Sequence, residues 1–248
     1  KFGTLHNLHI NNMVEQFETT KDVPGPTPQL KKLGLVAVAN GRGLTRILMS
    51  LGVDKVVAGG QTSNPSTQDL LDAVTEIPAE KVIILPNNSN IILAAGQAQS
   101  LAEKAVEVLP TKTIPQGIAA LVAFNPEAGA DENLVKMQKA LTAVDTVEIT
   151  YAVRDSQWEG QDIQKDNILG LVNDRINVVG QDVNQVVLDV LQQVVTEEKE
   201  LVTLYYGEGI SEEVAVQLQE QLAKVYPQLE FEVLEGGQPL YYYIISVE

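Results

Sequence analysis

Three short polar stretches carry the hydroxyl, amide and amine groups from which a ligand site could be built. They read TSNPST at 62–67, PNNSN at 86–90 and TKTIPQG at 111–117. Together they offer Thr62, Ser63, Ser66, Asn87, Asn88, Ser89, Asn90, Thr111, Lys112 and Thr113. Neutral donors with one cation suit a carboxylate or a phosphate. Each stretch also introduces a helical pattern, so the same residues serve equally as helix caps. A Gly-rich turn, ANGRG at 39–43, lacks the third glycine of a dinucleotide fingerprint, and no P-loop lysine follows it. A tight turn is the simpler reading. His6 and His9 are the only histidines, and on an alternating strand they point to opposite faces, which is poor for chelation. The chain has no cysteine. Neither a zinc centre nor a Ser-His-Asp triad is expected, and no general base stands near the polar loops.

What gathers these loops is the alternation of elements from Leu33 onward. KLGLVAVA, DKVVAG, KVIILP and AVEVLPT read as buried strands. NGRGLTRILMSLG, NPSTQDLLDAVTEI, SNIILAAGQAQSLA and IPQGIAALVAF read as the helices between and after them. Short apolar strands alternating with helices imply a parallel sheet covered on both faces. In such a sheet the loops after the strands meet at one edge, where ligands usually sit. After Pro126 the rhythm changes. DENLVKMQKALTAV is an amphipathic helix, DTVEITYAVRD a long alternating strand and INVVGQ a shorter one. DVNQVVLDVLQQVVT and SEEVAVQLQEQLAKVY are helices, the second capped by Ser211, with LVTLYYG a strand between them. LEFEVLEGGQPLYYYIISVE reads as two strands around a Gly-Gly turn, with Tyr241 and Tyr243 on one face and Tyr242 on the other. The expected fold is α/β with two subdomains. Residues 33–128 hold the parallel sheet with helices on both faces, and 129–248 a mixed or antiparallel sheet with helices. Residues 20–32, with three prolines and a glycine, read as a linker, and 1–19 as the tail of a preceding domain.

The net charge of −16 argues against nucleic acid as a partner. It is unevenly spread: residues 1–145 hold 12 Lys/Arg against 14 Asp/Glu, a net of −2, and 146–248 hold 5 against 19, a net of −14. An acidic half is either a plain solvated surface or a docking face for a basic partner. Its candidate residues are Glu197, Glu198, Glu200, Glu208, Glu212, Glu213, Glu230, Glu232 and Glu235. No apolar run is long enough to span a membrane, and the lack of cysteine fits a reducing cytoplasm. The chain opens on Lys1 in mid-pattern, so a piece of a longer protein is expected.

Seven stretches together resemble the C-terminal part of the bacterial fatty acid kinase catalytic protein, the YloV-like, dihydroxyacetone-kinase-like family. They are VAVANGRGL, GGQTSNPSTQDLLDAV, VIILPNNSNIILAA, LPTKTIPQGIAALVAFNP, ITYAVRD, YYGEGISEEVA and GGQPLYYYIISVE. The likeness runs from about Leu33 to Glu248, and GTLHNLHINNMVEQ is similar to the end of that family's middle domain. The resemblance implies a DegV-like fold. It implies a parent whose N-terminal domain binds ATP and Mg²⁺ and whose middle domain supplies catalytic Cys and His. The parent makes acyl-phosphate for membrane lipid synthesis, and its C-terminal region docks the DegV-type carrier that presents the fatty acid. This chain is then inactive alone, with no cofactor or metal of its own, and its partners are the carrier and the parent's other domains. DegV-type carriers hold the fatty acid carboxylate with a T-S-Q-P-S turn and a later G-L-S-G-T turn. Here residues 62–66 read TSNPS, and only Ser89 of NNSNIILAA keeps a comparable hydroxyl. The resemblance therefore implies a vestigial anion pocket at Thr62, Ser63, Ser66, Asn88, Ser89 and Thr113. The alternatives are direct binding of a fatty acid or small anion, and an independent kinase or phosphatase.

Overall fold

The computed structural model describes residues 30–61, 63–158 and 160–248. His6, His9, the segment 1–19 and the linker up to residue 29 lie outside the described residues.

β1 (Lys31–Ala39), β2 (Lys55–Ala58), β3 (Ala79–Leu85) and β4 (Ala105–Val108) form a parallel sheet in the order β2-β1-β3-β4. A helix follows each strand: α1 (Arg42–Ser50), α2 (Thr67–Glu76), α3 (Ile92–Leu101) and α4 (Ile114–Val122), with α5 (Ala130–Ala140) after them. β1 starts at Lys31, two residues inside the stretch read as linker. Its side chains alternate between two cores. Leu35, Ala37 and Ala39 pack with Leu44 and Leu48 of α1, Ile118 of α4 and Met137 of α5. Val36 and Val38 pack with Leu70 and Val74 of α2 and Ala95 of α3. Burial on both faces is why these strands read as continuous apolar runs.

A second sheet has the order β11-β10-β12-β5-β8-β9. Its strands are β5 (Asp145–Tyr151), β8 (Ile168–Val172), β9 (Arg175–Gly180), β10 (Leu201–Tyr206), β11 (Glu230–Glu235) and β12 (Tyr243–Val247). The β10–β11 pair is parallel and the other pairs are antiparallel. β6 (Ser156–Trp158) and β7 (Gln161–Ile163) form a separate hairpin. α6 (Val183–Val194) and α7 (Glu212–Val225) cover one face, burying Val147, Ile149, Val202, Leu204 and Ile245. From the opposite face Tyr205 and Ile244 join the core of α1, α4 and α5. Those three helices thus form a middle layer shared by both sheets. This position explains why α4 buries residues around most of its circumference.

The two last strands do not pair with each other. β10 lies between them, and the intervening chain arches over its end, where the Gly236 and Gly237 N–H groups both donate to the Tyr206 carbonyl. The tyrosine pattern differs accordingly. Leu240 takes a positive φ of 68°, and Tyr242 lies in a bend just before β12 starts, so strand alternation does not extend back over Tyr241 and Tyr242. Tyr241 therefore packs against the middle-layer core, and Tyr242 and Tyr243 against the α6–α7 core.

The same arch clasps the first sheet. Leu44 N–H of α1 donates to the Gly236 carbonyl at 2.9 Å. A Cβ on Gly43 would stand 1.8 Å from the Glu235 carbonyl oxygen and 2.5 Å from its carbon, both backbone atoms. Gly43→Ala must push α1 off the arch and is expected to lower stability by about 2 kcal/mol despite its better helix propensity. Urea unfolding checks this, and an unchanged midpoint would contradict the close approach.

Candidate functional site

The loops after the parallel strands do converge. Asn40 after β1, Gly59 to Gln61 after β2, Asn87 and Asn88 after β3 and Lys112 after β4 line one cavity of about 50 Å³. The second sheet supplies the opposite wall with Glu148 of β5, Gln238 to Tyr241 of the arch, and Ile244 of β12. At roughly 10–15 Å³ per water, such a volume takes a few waters or a group the size of an ammonium ion. A long acyl chain does not fit.

Most of the hydroxyls in the three polar stretches have other partners. Ser66 is the N-cap of α2 in a reciprocal capping box. It accepts from Asp69 N–H at 3.1 Å, while the Asp69 carboxylate accepts from Ser66 N–H at 2.8 Å. The Ser66 hydroxyl, which donates to the Asp69 carboxylate at 2.7 Å, and then the Ser66 N–H hold that carboxyl below its usual range. Ser66→Ala is expected to cost about 1 kcal/mol, read in thermal unfolding; no loss would mean the cap is not formed in solution. Thr113 caps α4 and lies 2.7 Å from the Thr146 hydroxyl of β5. Ser89 donates to Asp174 at 2.8 Å. Asn88 accepts from Asn90 N–H, and Thr111 from Asn87 N–H. Ser63 is exposed, and its carbonyl accepts from Gly60 N–H. Thr62 lies outside the described residues. Of the nine of these residues that are described, Asn87, Asn88 and Lys112 reach the cavity.

Two further polar groups of the cavity, Glu148 and Gln238, come from residues that the sequence pattern does not single out. Asn87 takes a positive φ of 54° and lays its amide on Gly117 of α4, where a Cβ would fall 2.2 Å from its oxygen. Its Nδ2 donates to the Val38 carbonyl at 3.0 Å. Gln238 donates from Nε2 to the Tyr205 carbonyl at 2.8 Å. Glu148 sits on the β5 face shared with Thr146, directed into the middle layer. Burial, with the nearby Asp174 carboxylate adding to it, pushes the Glu148 carboxyl up to about 7. Burial, and then Glu148, also raises the Tyr241 hydroxyl above its ordinary value. Among the described residues, no group of three or more His, Cys, Asp or Glu is placed to hold a metal, and no helix is long and apolar enough to cross a membrane.

The acidic candidates do not form one face. Glu197, Glu198, Glu200 and Glu230 gather where β10 and β11 start, and Glu230 N–H donates to the Glu200 carbonyl. Glu208, Glu212 and Glu213 stand at the other end, about 17 Å away by the rise of a six-residue strand. Glu232 lies midway on the edge strand β11. Glu235 is bound within the chain by Arg46 and, at 3.5 Å, by Arg42; the Arg46 hydrogen bond holds its carboxyl below the usual range. The other eight are exposed and form no ion pair among the described residues.

Residues 34–248 match the family model for the FakA-like C-terminal region of fatty acid kinase. The chain belongs to that family. Protein YloV of Bacillus subtilis is 42% identical over 255 residues, covering all of this chain and 46% of YloV. The chain thus spans about half the length of that relative. Among solved structures, a DegV family protein from Corynebacterium glutamicum matches with a TM-score of 0.62 at 13% identity, covering 88% of this chain and 97% of that one. The Streptococcus pneumoniae fatty acid kinase B3 protein, loaded with linoleic acid, matches with a TM-score of 0.55 at 9% identity, covering 88% and 99%. At such identities the likeness establishes a DegV-like fold.

Proposed function

We propose that this domain is the non-catalytic docking module of a fatty acid kinase. It receives a DegV-type fatty-acid-binding protein so that other domains of the parent can phosphorylate the carried fatty acid. In this reading ATP and Mg²⁺ belong to those other domains, and the protein works in the cytoplasm. Family membership supports the kinase context, and four of the eight exposed glutamates supply the docking surface. The observation that carries it is the cluster of Glu197, Glu198, Glu200 and Glu230. Glu197 and Glu198 lie just beyond the C-terminus of α6, the negative end of its dipole, where carboxylates are disfavoured. Glu212 and Glu213, by contrast, sit in the first turn of α7, where the dipole accounts for them. A like-charged group held at an unfavourable helix end is suited to a basic partner surface.

The second reading, fatty acid binding by the domain itself, is disfavoured by a cavity of about 50 Å³. Native mass spectrometry on the domain mixed with a carrier bearing a fatty acid separates the two. The expected species is a complex with the lipid still on the carrier. Lipid transferred to the domain, or no complex at all, overturns the docking role.

A further inference from the structure

Glu148 stands where an apolar side chain would pack. On its face of the second sheet its cross-strand neighbours are Leu171 of β8 and Ile244 of β12, and Ile244 belongs to the middle-layer core. Glu148 is 8% exposed, and its Oε2 is buried without a hydrogen-bond partner. It forms no ion pair among the described residues. A protonated carboxyl is tolerated in such a place, whereas an unpaired carboxylate out of water is far more costly. The groups that face it do not offset the charge. The β8–β9 turn brings Asp174, of the same sign, and the arch brings Tyr241. The loops after β1, β2 and β3 bring Asn40, Gln61, Asn87 and Asn88 to the adjoining cavity, and the loop after β4 brings Lys112, which is exposed. On its own strand, Asp145 is paired with Lys199.

The neighbouring segment most able to give way is the arch between β11 and β12. Leu240 holds a φ of 68°, a left-handed conformation that a bulky residue keeps only under constraint. The Tyr241 N–H turns back to the Pro239 carbonyl at 2.8 Å rather than joining a strand. Few bonds tie this stretch down: Gln238 Nε2 to the Tyr205 carbonyl, Glu208 N–H to the Gln238 carbonyl at 3.1 Å, and the Thr150 hydroxyl to the Leu240 carbonyl at 2.9 Å. Residues 238–241 also wall the cavity that Glu148 lines, so their displacement lets water reach the carboxylate. We propose that Glu148 and the arch form a pH-sensitive latch between the two sheets, closed while the carboxyl is protonated and released along residues 236–242 when it ionises. Burial first, and Asp174 second, push the carboxyl up to about 7, so release falls across neutral pH. It grows as pH rises, because the closed form binds the proton more tightly than a form in which water reaches the carboxylate. The latch is independent of carrier docking.

Amide hydrogen exchange read by mass spectrometry tests this, at about pH 6 and about pH 8, with labelling times scaled to the chemical exchange rate. The readout is the peptide over residues 236–242, in which the Gly236, Gly237, Tyr241 and Tyr242 amides are hydrogen-bonded. Its protection is expected to fall about tenfold from the lower to the higher pH. The opening is local, so exchange there should not respond to urea kept below the unfolding transition. Exchange of residues 186–191 in the α6 core should instead quicken with urea, as global unfolding requires. Glu148→Gln keeps the shape of the side chain and removes the charge, so its arch should be equally protected at both pH values. Three results overturn the latch: protection of the arch indifferent to pH, arch exchange that follows urea as the α6 amides do, or a pH dependence that survives in Glu148→Gln. The pH and urea readings on the wild type decide the matter even where the variant fails to fold.

Discussion

Glu148→Gln is expected to stabilise the protein by about 3 kcal/mol at pH 8 and to change it little at pH 4. The sign follows from the position of the carboxyl. Unfolded, it ionises near 4.5; folded, it ionises near about 7, because burial and Asp174 disfavour its charge. Between those values the folded state binds more protons than the unfolded one, so stability falls as pH rises. The interval from 4.5 to about 7, at ~1.4 kcal/mol per pH unit, sets the size of the penalty. Above about pH 7 both states are ionised and the penalty levels off. Gln is neutral throughout, so the variant should gain what the wild type loses. Urea unfolding of both proteins from pH 4 to pH 8 measures the difference. Parallel stability curves would mean that Glu148 is solvated and that the cavity is open to bulk water.

Reversing Glu197, Glu198, Glu200 and Glu230 to lysine is expected to weaken carrier binding at least ~100-fold, or about 2.7 kcal/mol. The four carboxylates lie together at the start of β10 and β11 and have no cationic partner among the described residues. Lys199 beside them is bound to Asp145 at 2.8 Å. Reversal replaces attraction by repulsion across the whole contact. It should not harm folding, since lysines beyond the end of α6 suit its dipole. Reversing Glu208, Glu212 and Glu213 is the comparison, expected to alter affinity by less than about fivefold. Larger loss from that second set would move the docking surface to the α7 end. Equal affinity for all three proteins would remove the electrostatic account.

Much of the fold is legible in the sequence because period and punctuation agree. The four buried strands and their helices stand out as apolar runs between turns. Gly52, at φ 97°, stops the first helix as its position implies. β8 is not read, although ILGLV is followed by Asn173 and Asp174, both at positive φ in the turn to β9. The Asn-Asp pair was the available signal. Gly170 weakened it by thinning the apolar pattern; a Cβ there would meet Val190 of α6. At the cavity, the polar loops are legible because they follow parallel strands. Glu148 is not, since alternation in TVEITY assigns Thr146 and Glu148 to a solvent face. That face is instead covered by the middle helices, which belong equally to the other sheet. Periodicity reports that one face of a strand is polar and is silent on what lies over it. The charge of the acidic half is plain in the sequence, but its division between two strand ends, and the pairing of Glu235 with two arginines, depend on contacts between distant segments.

A binding isotherm between this domain and its DegV-type fatty-acid-binding protein, at about 50 mM and about 500 mM salt, tests the docking claim most directly. Saturable binding at low salt that weakens more than tenfold at high salt is the predicted result. No binding at either salt, or an affinity indifferent to salt, would contradict it.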